Sequence, residues 1–292
     1  MSALASAHSN NNDAAAAAAP SSKRSSGDVS LTLRPSSTRG HSNHGWLNSY
    51  HTFSFAGWYD PRYESLHSLR VINEDRISGG EGFGRHPHRE FEIFSYVVRG
   101  SLRHADSMGN QESLPRGSLQ LTSAGTGISH SEFNDSDKDV CHFLQMWIKP
   151  AVSGLKPSYA TKLFSDEEKL NQLRLMLSND ARDGSLQIHQ DVSVYASLLQ
   201  PSKSVTFDVA AGREVYVHLI QDTKGLVGEH NKTALSVSSS SGANTLKMAG
   251  GDGVLIKHSA AIKGAAPQRV TLTGAGADGS NAEFILFDLA KQ

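Results

Sequence analysis

Two short segments of this 292-residue chain carry side chains able to hold a metal ion together. The first, Gly82-Phe-Gly-Arg-His-Pro-His-Arg-Glu-Phe-Glu92, has His86 and His88 two residues apart. On a β-strand residues i and i+2 point to one face, so two imidazoles at this spacing converge. The second, Gly125-Thr-Gly-Ile-Ser-His-Ser-Glu-Phe-Asn134, repeats the spacing with His130 and Glu132. One such pair alone reads as readily as a loop or edge feature, and Pro87 cannot donate to a central ladder. Two pairs, each introduced by a glycine-rich turn, favour a shared site. Nitrogen and oxygen donors without thiolate admit several divalent metals.

For the four groups to meet, their strands must be neighbours with both pairs facing the lumen of a small barrel. The chain has the texture for it. From Leu31 onward, short runs of β-branched and aromatic residues alternate with Gly, Asn, Asp and Pro, an all-β rhythm. Residues 91–98, 101–105, 118–122 and 140–148 read as strands of a first half, and 192–199, 204–209, 214–220, 253–257 and 282–289 as strands of a second. Between them Ser165-Asp-Glu-Glu168 has the form of a capping box, followed by Leu170, Leu173, Leu175 and Leu177, which predicts one linker helix. The first 28 residues, rich in Ala, Ser and Asn, lack the apolar content to order themselves. The expected organisation is a disordered tail (1–29), a metal-binding β-domain (30–152), a linker with a helix (153–184) and a second β-domain (185–292).

Composition excludes several functions. Lys and Arg number 28 against 29 Asp and Glu, a net charge of −1, so no basic excess exists for general nucleic-acid binding. One cysteine, Cys141, allows no internal disulfide, and beside His142 on a strand it faces away from it, so a buried structural thiol is expected. No apolar run is long enough to span a membrane. Gly274-Ala-Gly-Ala-Asp-Gly279 fits a dinucleotide fingerprint by letters only, because no helix follows it. The expected compartment is the cytoplasm, with the nucleus as the alternative.

The two segments, HPHxxxE and AGTGIxHSE, resemble the metal motifs of the pirin family in the cupin superfamily. The likeness extends from Gly40-His-Ser-Asn-His-Gly-Trp46 and His51-Thr-Phe-Ser-Phe-Ala-Gly-Trp-Tyr-Asp-Pro61 through Leu69-Arg-Val-Ile-Asn73 and Gln145-Met-Trp-Ile148 to His189-Gln-Asp191. It is nearest to the bacterial-type pirin-like proteins described as quercetin 2,3-dioxygenases. The resemblance implies an all-β bicupin, two cupin β-barrel (double-stranded β-helix, or jelly-roll) domains in one chain. It implies metal ligands at His86, His88, His130 and Glu132, with Fe(II) foremost and Mn, Ni, Cu or Zn as alternatives. It implies a flavonol-like substrate and O2, ring opening, and Glu132 as a candidate base. Glu92, at the carboxylate position of many other cupins, is expected beside the ligands rather than among them. Asn134 is expected to close a turn, and Phe53, Phe55, Trp58 and Tyr59 are candidates for the pocket mouth. The second half offers only single histidines, His218, His230 and His258, so one metal per chain and a monomer are expected. A competing reading, also from the family, is an iron-dependent redox-sensing regulator that binds protein partners.

Overall fold

The computed structural model describes residues 28–221, 233–260, 264–276 and 279–291. Residues 1–27 of the tail expected to be disordered and His230 lie outside these residues, whereas Asp28 and Val29, also expected in that tail, are buried, Val29 in the core of the second half. The described chain is nearly all-β, with one short α-helix, and each half consists of a seven-stranded sheet facing a four-stranded one. In the first half the large sheet runs Ser158–Leu163, Ser118–Ser123, Glu92–Arg99, Cys141–Ile148, Leu69–Ile77, Leu47–His51 and Gly40–Asn43. Its small sheet runs Gly82–His88, Ile128–Asn134, Ser101–Asp106 and Gln111–Pro115. The second half repeats this, with Ser204–Val209, Gln268–Gly274, Ala234–Ser239 and Thr245–Ala249 as the small sheet. Among the described residues no ladder joins the two sheets of a half, so each cupin is an open jelly-roll sandwich rather than a barrel closed by hydrogen bonds.

The period of two sorts side chains between two interiors. Phe94, Tyr96, Leu144 and Met146 project from the first large sheet onto Val194, Ala196, Ile285 and Phe287 of the second, forming one core between the halves. Burying each of the larger side chains contributes about 1.5–3 kcal/mol. Alternate residues of the second half, among them Val217, Leu235, Phe284 and Leu286, fill an apolar space between its own two sheets. The corresponding space in the first half has only a small apolar cluster of Ile77, Val97, Leu102, Leu114, Cys141 and Phe143. The rest of its inward face is polar, with Ser95, Gln120, Glu132 and Gln145 all buried. The second half is packed like a core; the first is built around a site.

Strands cross the domain boundaries expected from sequence. Ser30–Arg34 pairs antiparallel with Gly253–Lys257 and thereby extends the second half's large sheet. The expected linker supplies strands to both halves: Ser158–Leu163 pairs with Ser118–Ser123, and Arg174–Ser178 pairs with Val192–Leu199. The predicted helix is reduced to Asp166–Lys169. Its capping box is present, the Glu168 amide donating to Ser165 Oγ at 3.3 Å and the Ser165 amide to Glu168 Oε2 at 2.9 Å. The chain then leaves the helix through extended Leu170 and left-handed Asn171 (φ 55°). Leu173, Leu175 and Leu177 have the spacing of a strand, and the last two lie in one.

A buried ionic hub also ties the halves together. Glu74, fully buried, accepts hydrogen bonds from Arg39 Nη1 (2.9 Å), Arg76 Nη2 (3.2 Å), His142 Nε2 (3.1 Å), His218 Nε2 (3.3 Å) and the Gln221 amide (2.8 Å). Burial alone would raise the Glu74 carboxyl, but His142, His218 and the two guanidiniums outweigh it and hold it well below the usual range. Cys141, free and buried, has its thiol pushed up to about 12 by desolvation.

Candidate metal centre

The glycine-rich turn before Ile128–Asn134 is sterically required. Gly125 is left-handed (φ +43°), and a Cβ there would run into the Leu155 carbonyl. The turn delivers Ile128–Asn134 between two partners: Gly82–His88 on one side, with His130 opposite His86, and Ser101–Asp106 on the other, with Glu132 opposite His104. The first ladder shifts register between His130 and Glu132, a bulge with the extra residue on the Gly82–His88 strand.

His86, His88 and His130 form one triad whose candidate ligand atoms lie within 4.8 Å of one another. Their ring centroids are 4.6–4.8 Å apart, and the Nε2 atoms of His86 and His130 approach to 3.1 Å. Glu132 belongs to a second triad, with His104 and His130, in which all three side chains are buried. The four expected ligands are therefore brought to one place, but as two triads sharing His130, with Glu132 directly opposite His104 in the unshifted ladder to Ser101–Asp106. His104 was missed in the sequence, although His104 and Asp106 repeat the same i, i+2 spacing of an imidazole and a carboxylate.

Glu132 Oε1 accepts from Ser95 Oγ (3.1 Å) and Gln120 Nε2 (3.0 Å), and Oε2 accepts from Gln145 Nε2 (2.9 Å). Burial would raise this carboxyl; the nearby imidazoles and the Ser95 hydrogen bond prevail and leave it below its usual value, an ionised carboxylate. His88 is pushed down to about 4, chiefly by desolvation and then by His130 and His86, and desolvation likewise lowers His130. His88 and His130 are therefore held towards the neutral form, whose lone pairs can bind a metal at neutral pH.

The donor set fits a divalent ion. His86 Nδ1 lies 2.7 Å from the Gly84 carbonyl, which can only accept, so Nδ1 carries the hydrogen and Nε2 keeps its lone pair. The buried His88 Nε2 and His130 Nδ1 find no hydrogen-bond partner among the described residues. Buried nitrogens of this kind ordinarily have one, and a cation provides it. Three imidazoles and a carboxylate suit iron, nickel, copper or zinc better than calcium or magnesium.

His86 and His88 of the triad open on a cavity of about 330 Å³, lined also by Phe55, Phe83 and Trp147 on one part and by Ser42, Ser49, His51, Asn73, Asp75 and Gln145 on another. His51 spans its polar wall, Nδ1 at 2.8 Å from Asn73 Oδ1 and Nε2 at 2.8 Å from Ser42 Oγ. Asp75 accepts a short hydrogen bond from Ser49 and is pushed up to about 7, mainly by burial. Of the four candidate mouth aromatics only Phe55 lines this cavity; Phe53 is core, Trp58 covers Gly40, and Tyr59 is exposed with its hydroxyl donating to Glu64. Glu92 lies in neither triad: it accepts from Ser123 Oγ (2.6 Å) and sits 3.3 Å from His189 Nδ1. Asn134 closes a turn, its side chain bonded to the Ile77 and Asp139 carbonyls and the Ser136 amide. His218 and His258 join no metal-capable group among the described residues.

Comparison with known proteins agrees with this architecture. The pirin family profile matches residues 32–148, and that of the quercetinase C-terminal cupin domain matches 175–289. A quercetin 2,3-dioxygenase of Escherichia coli K12 is 44% identical over 204 residues, 70% of this chain and 87% of that protein. Its counterpart in Escherichia coli O157:H7 is 47% identical over 191 residues, 65% of this chain and 81% of that protein. The crystal structure of the bacterial pirin YhhW from Escherichia coli in complex with nickel(II) superposes with a TM-score of 0.74 at 38% identity, covering 90% of this chain and all of that one. With both halves matched, and with relatives this similar aligned over most of their length, the chain belongs to the pirin family.

Proposed function

We propose that this chain is a metal-dependent dioxygenase that opens the ring of quercetin-like flavonols with O2, with His86, His88, His130 and Glu132 holding the metal, Fe(II) foremost. The observation that carries the reading is a three-histidine cluster of which His86 and His88 line a cavity with an aromatic and a polar wall. Relatives at 44–47% identity bear the name quercetin 2,3-dioxygenase, and a structural relative binds nickel, which supports a metal but leaves iron as our proposal.

The bound ion would supply Lewis acidity for a deprotonated substrate oxygen and a redox-active place for O2. The chain's own residues do the rest. A cavity of about 330 Å³ lies at the lower end of the range for small-molecule sites, enough for a flat ring system to enter. Phe55 and Trp147, edge to face at 5.6 Å, offer a wall on which such a ring stacks. Asp75, Ser49 and Asn73 offer hydrogen bonds to ring hydroxyls, orienting the substrate against the imidazoles. Glu132, already accepting three hydrogen bonds and held ionised, suits ligation better than the role of base. Glu92 steadies the His189 side of the fold from outside the ligand set.

The test is metal content by elemental analysis, then oxygen uptake with quercetin in the same preparation, for wild type and His88→Ala. Stoichiometric metal in wild type with uptake lost in His88→Ala is expected. Metal-loaded wild type that consumes no oxygen would overturn the proposal and favour a redox-sensing protein with a macromolecular partner.

A further inference from the structure

The reaction needs a group that takes the proton of a substrate hydroxyl, and Glu132, engaged in ligation, does not supply it. The polar wall of the cavity holds another carboxylate. Leu47–His51 and Leu69–Ile77 pair with Ser49 opposite Asp75 and His51 opposite Asn73, so the period of two turns all four side chains to one face. All four line the cavity that His86 and His88 also line. The wall reaches the metal centre through Gln145, which lies opposite Asn73 in the next ladder, lines the same cavity and donates to Glu132 Oε2 at 2.9 Å. Asp75 is 2% exposed, yet little compensates its charge. Its Oδ1 accepts a hydrogen bond from Ser49 Oγ, and among the described residues it has no other hydrogen bond and no ion pair. The next residue, Arg76, projects to the opposite face and donates to Glu74. By contrast Glu132, the other carboxylate of this interior, accepts three hydrogen bonds. A buried carboxylate left with one hydrogen bond beside a cavity is costly, which calls for an explanation in what the cavity receives. Oδ2 is the atom left for an occupant.

We propose that Asp75 is the catalytic base that deprotonates the flavonol hydroxyl, an inference that rests on the dioxygenase reading. The substrate O–H bond breaks, the proton goes to Asp75 Oδ2, and the electron pair stays on the substrate oxygen. Asp75 gives the proton back as the product leaves. Ser49 is a positioning residue, since its hydrogen bond fixes the carboxylate with Oδ2 unbonded. Burial already raises the Asp75 carboxyl to about 7, so its protonation changes near neutrality, where a general base works best. The titratable groups around it are His44 and His51, His86 and His88 from Gly82–His88, Glu132 from Ile128–Asn134, Cys141 from Cys141–Ile148, and Glu74 and Arg76 behind it on its own strand.

The experiment uses the full metal-loaded chain, its metal measured, and follows oxygen uptake with quercetin between about pH 6 and 8.5 in wild type, Asp75→Asn, Asp75→Glu and Ser49→Ala. Asp75→Asn keeps the size and an acceptor for Ser49 but takes no proton. Its kcat should fall by about 100-fold or more near pH 7, with metal content and KM little changed. The remaining rate should climb with pH as hydroxide replaces the missing base, whereas wild type levels off, and Asp75→Glu should restore part of the loss. Should Asp75→Asn fail to fold, Ser49→Ala decides: the carboxylate loses its hydrogen bond, so the acidic limb of the profile should move to higher pH. A second readout needs no turnover. Without oxygen, near pH 7, wild type should hold bound quercetin in its ionised form, seen as a red shift of its absorption, and Asp75→Asn should need a higher pH to do so. A wild-type kcat and pH profile in Asp75→Asn overturns the assignment, and so does a loss of rate with an unchanged pH profile, the mark of a structural role. Wild type that takes up no oxygen refutes the dioxygenase reading; the anaerobic spectra then decide on Asp75, and equal spectra in the two proteins overturn it.

Discussion

His142 makes a quantitative test of the ionic hub between the halves. Its imidazole, 2% exposed, donates from Nε2 to Glu74 and is held down to about 4, first by burial and then by the Arg76 charge, with Glu74 only partly compensating. The unfolded chain presents an ordinary histidine near 6.5. As pH falls, the unfolded state takes up the proton first, so this group's contribution is fully present above about pH 6.5 and is lost as the pH falls towards about 4. Integrated from pH 7 to pH 4.5, the loss is about 2 kcal/mol. His142→Gln keeps an N–H donor for Glu74 but does not titrate. Urea unfolding of metal-free wild type and variant at both pH values gives the double difference, in which all other titrating groups cancel. Wild type should lose about 2 kcal/mol more than the variant across this interval. Equal losses, within about 0.5 kcal/mol, would refute the view that a neutral His142 is enforced by burial against Glu74.

Three further outcomes are expected. Lys169, fully buried, donates to Tyr96 Oη at 2.7 Å and lies 3.8 Å from Glu283, so Lys169→Met should cost about 3–5 kcal/mol in urea unfolding by stranding buried oxygen atoms. Cys141 should resist a disulfide-exchange reagent at pH 8 in the folded protein and react at once in denaturant, because its thiol is buried and held near 12. Nickel added at 100 times its dissociation constant should stabilise the stripped protein by about 2.7 kcal/mol, seen as a rise in melting temperature that a chelator reverses.

Much of the site was legible in the sequence because it is written locally. His86, His88, His130 and Glu132 declare themselves through i, i+2 spacing and the glycines before them. What spacing does not carry is lateral register. Glu132 comes to lie opposite His104 of the Ser101–Asp106 strand, and nothing in either segment announces that pairing. The Glu74 hub was invisible for a related reason, since its partners come from positions 39, 76, 142, 218 and 221 and no local pattern links them. The linker helix was overextended because a true capping box stands directly before three leucines at strand spacing. The strand rhythm gave the two-domain, all-β organisation, but not that Ser30–Arg34 serves the second half.

That exchange of a strand bears on how the chain emerges from the ribosome. Ser30–Arg34 is among the first ordered segments to be made, yet its partner Gly253–Lys257 is translated about 220 residues later. At about 5–20 residues per second the strand waits on the order of 10–45 s with its backbone groups unpaired. Meanwhile the first half can already assemble both of its own sheets, so the early strand is left as a tether outside a finished domain. It joins last, when the second large sheet offers an edge, and in doing so fastens the beginning of the chain to its end.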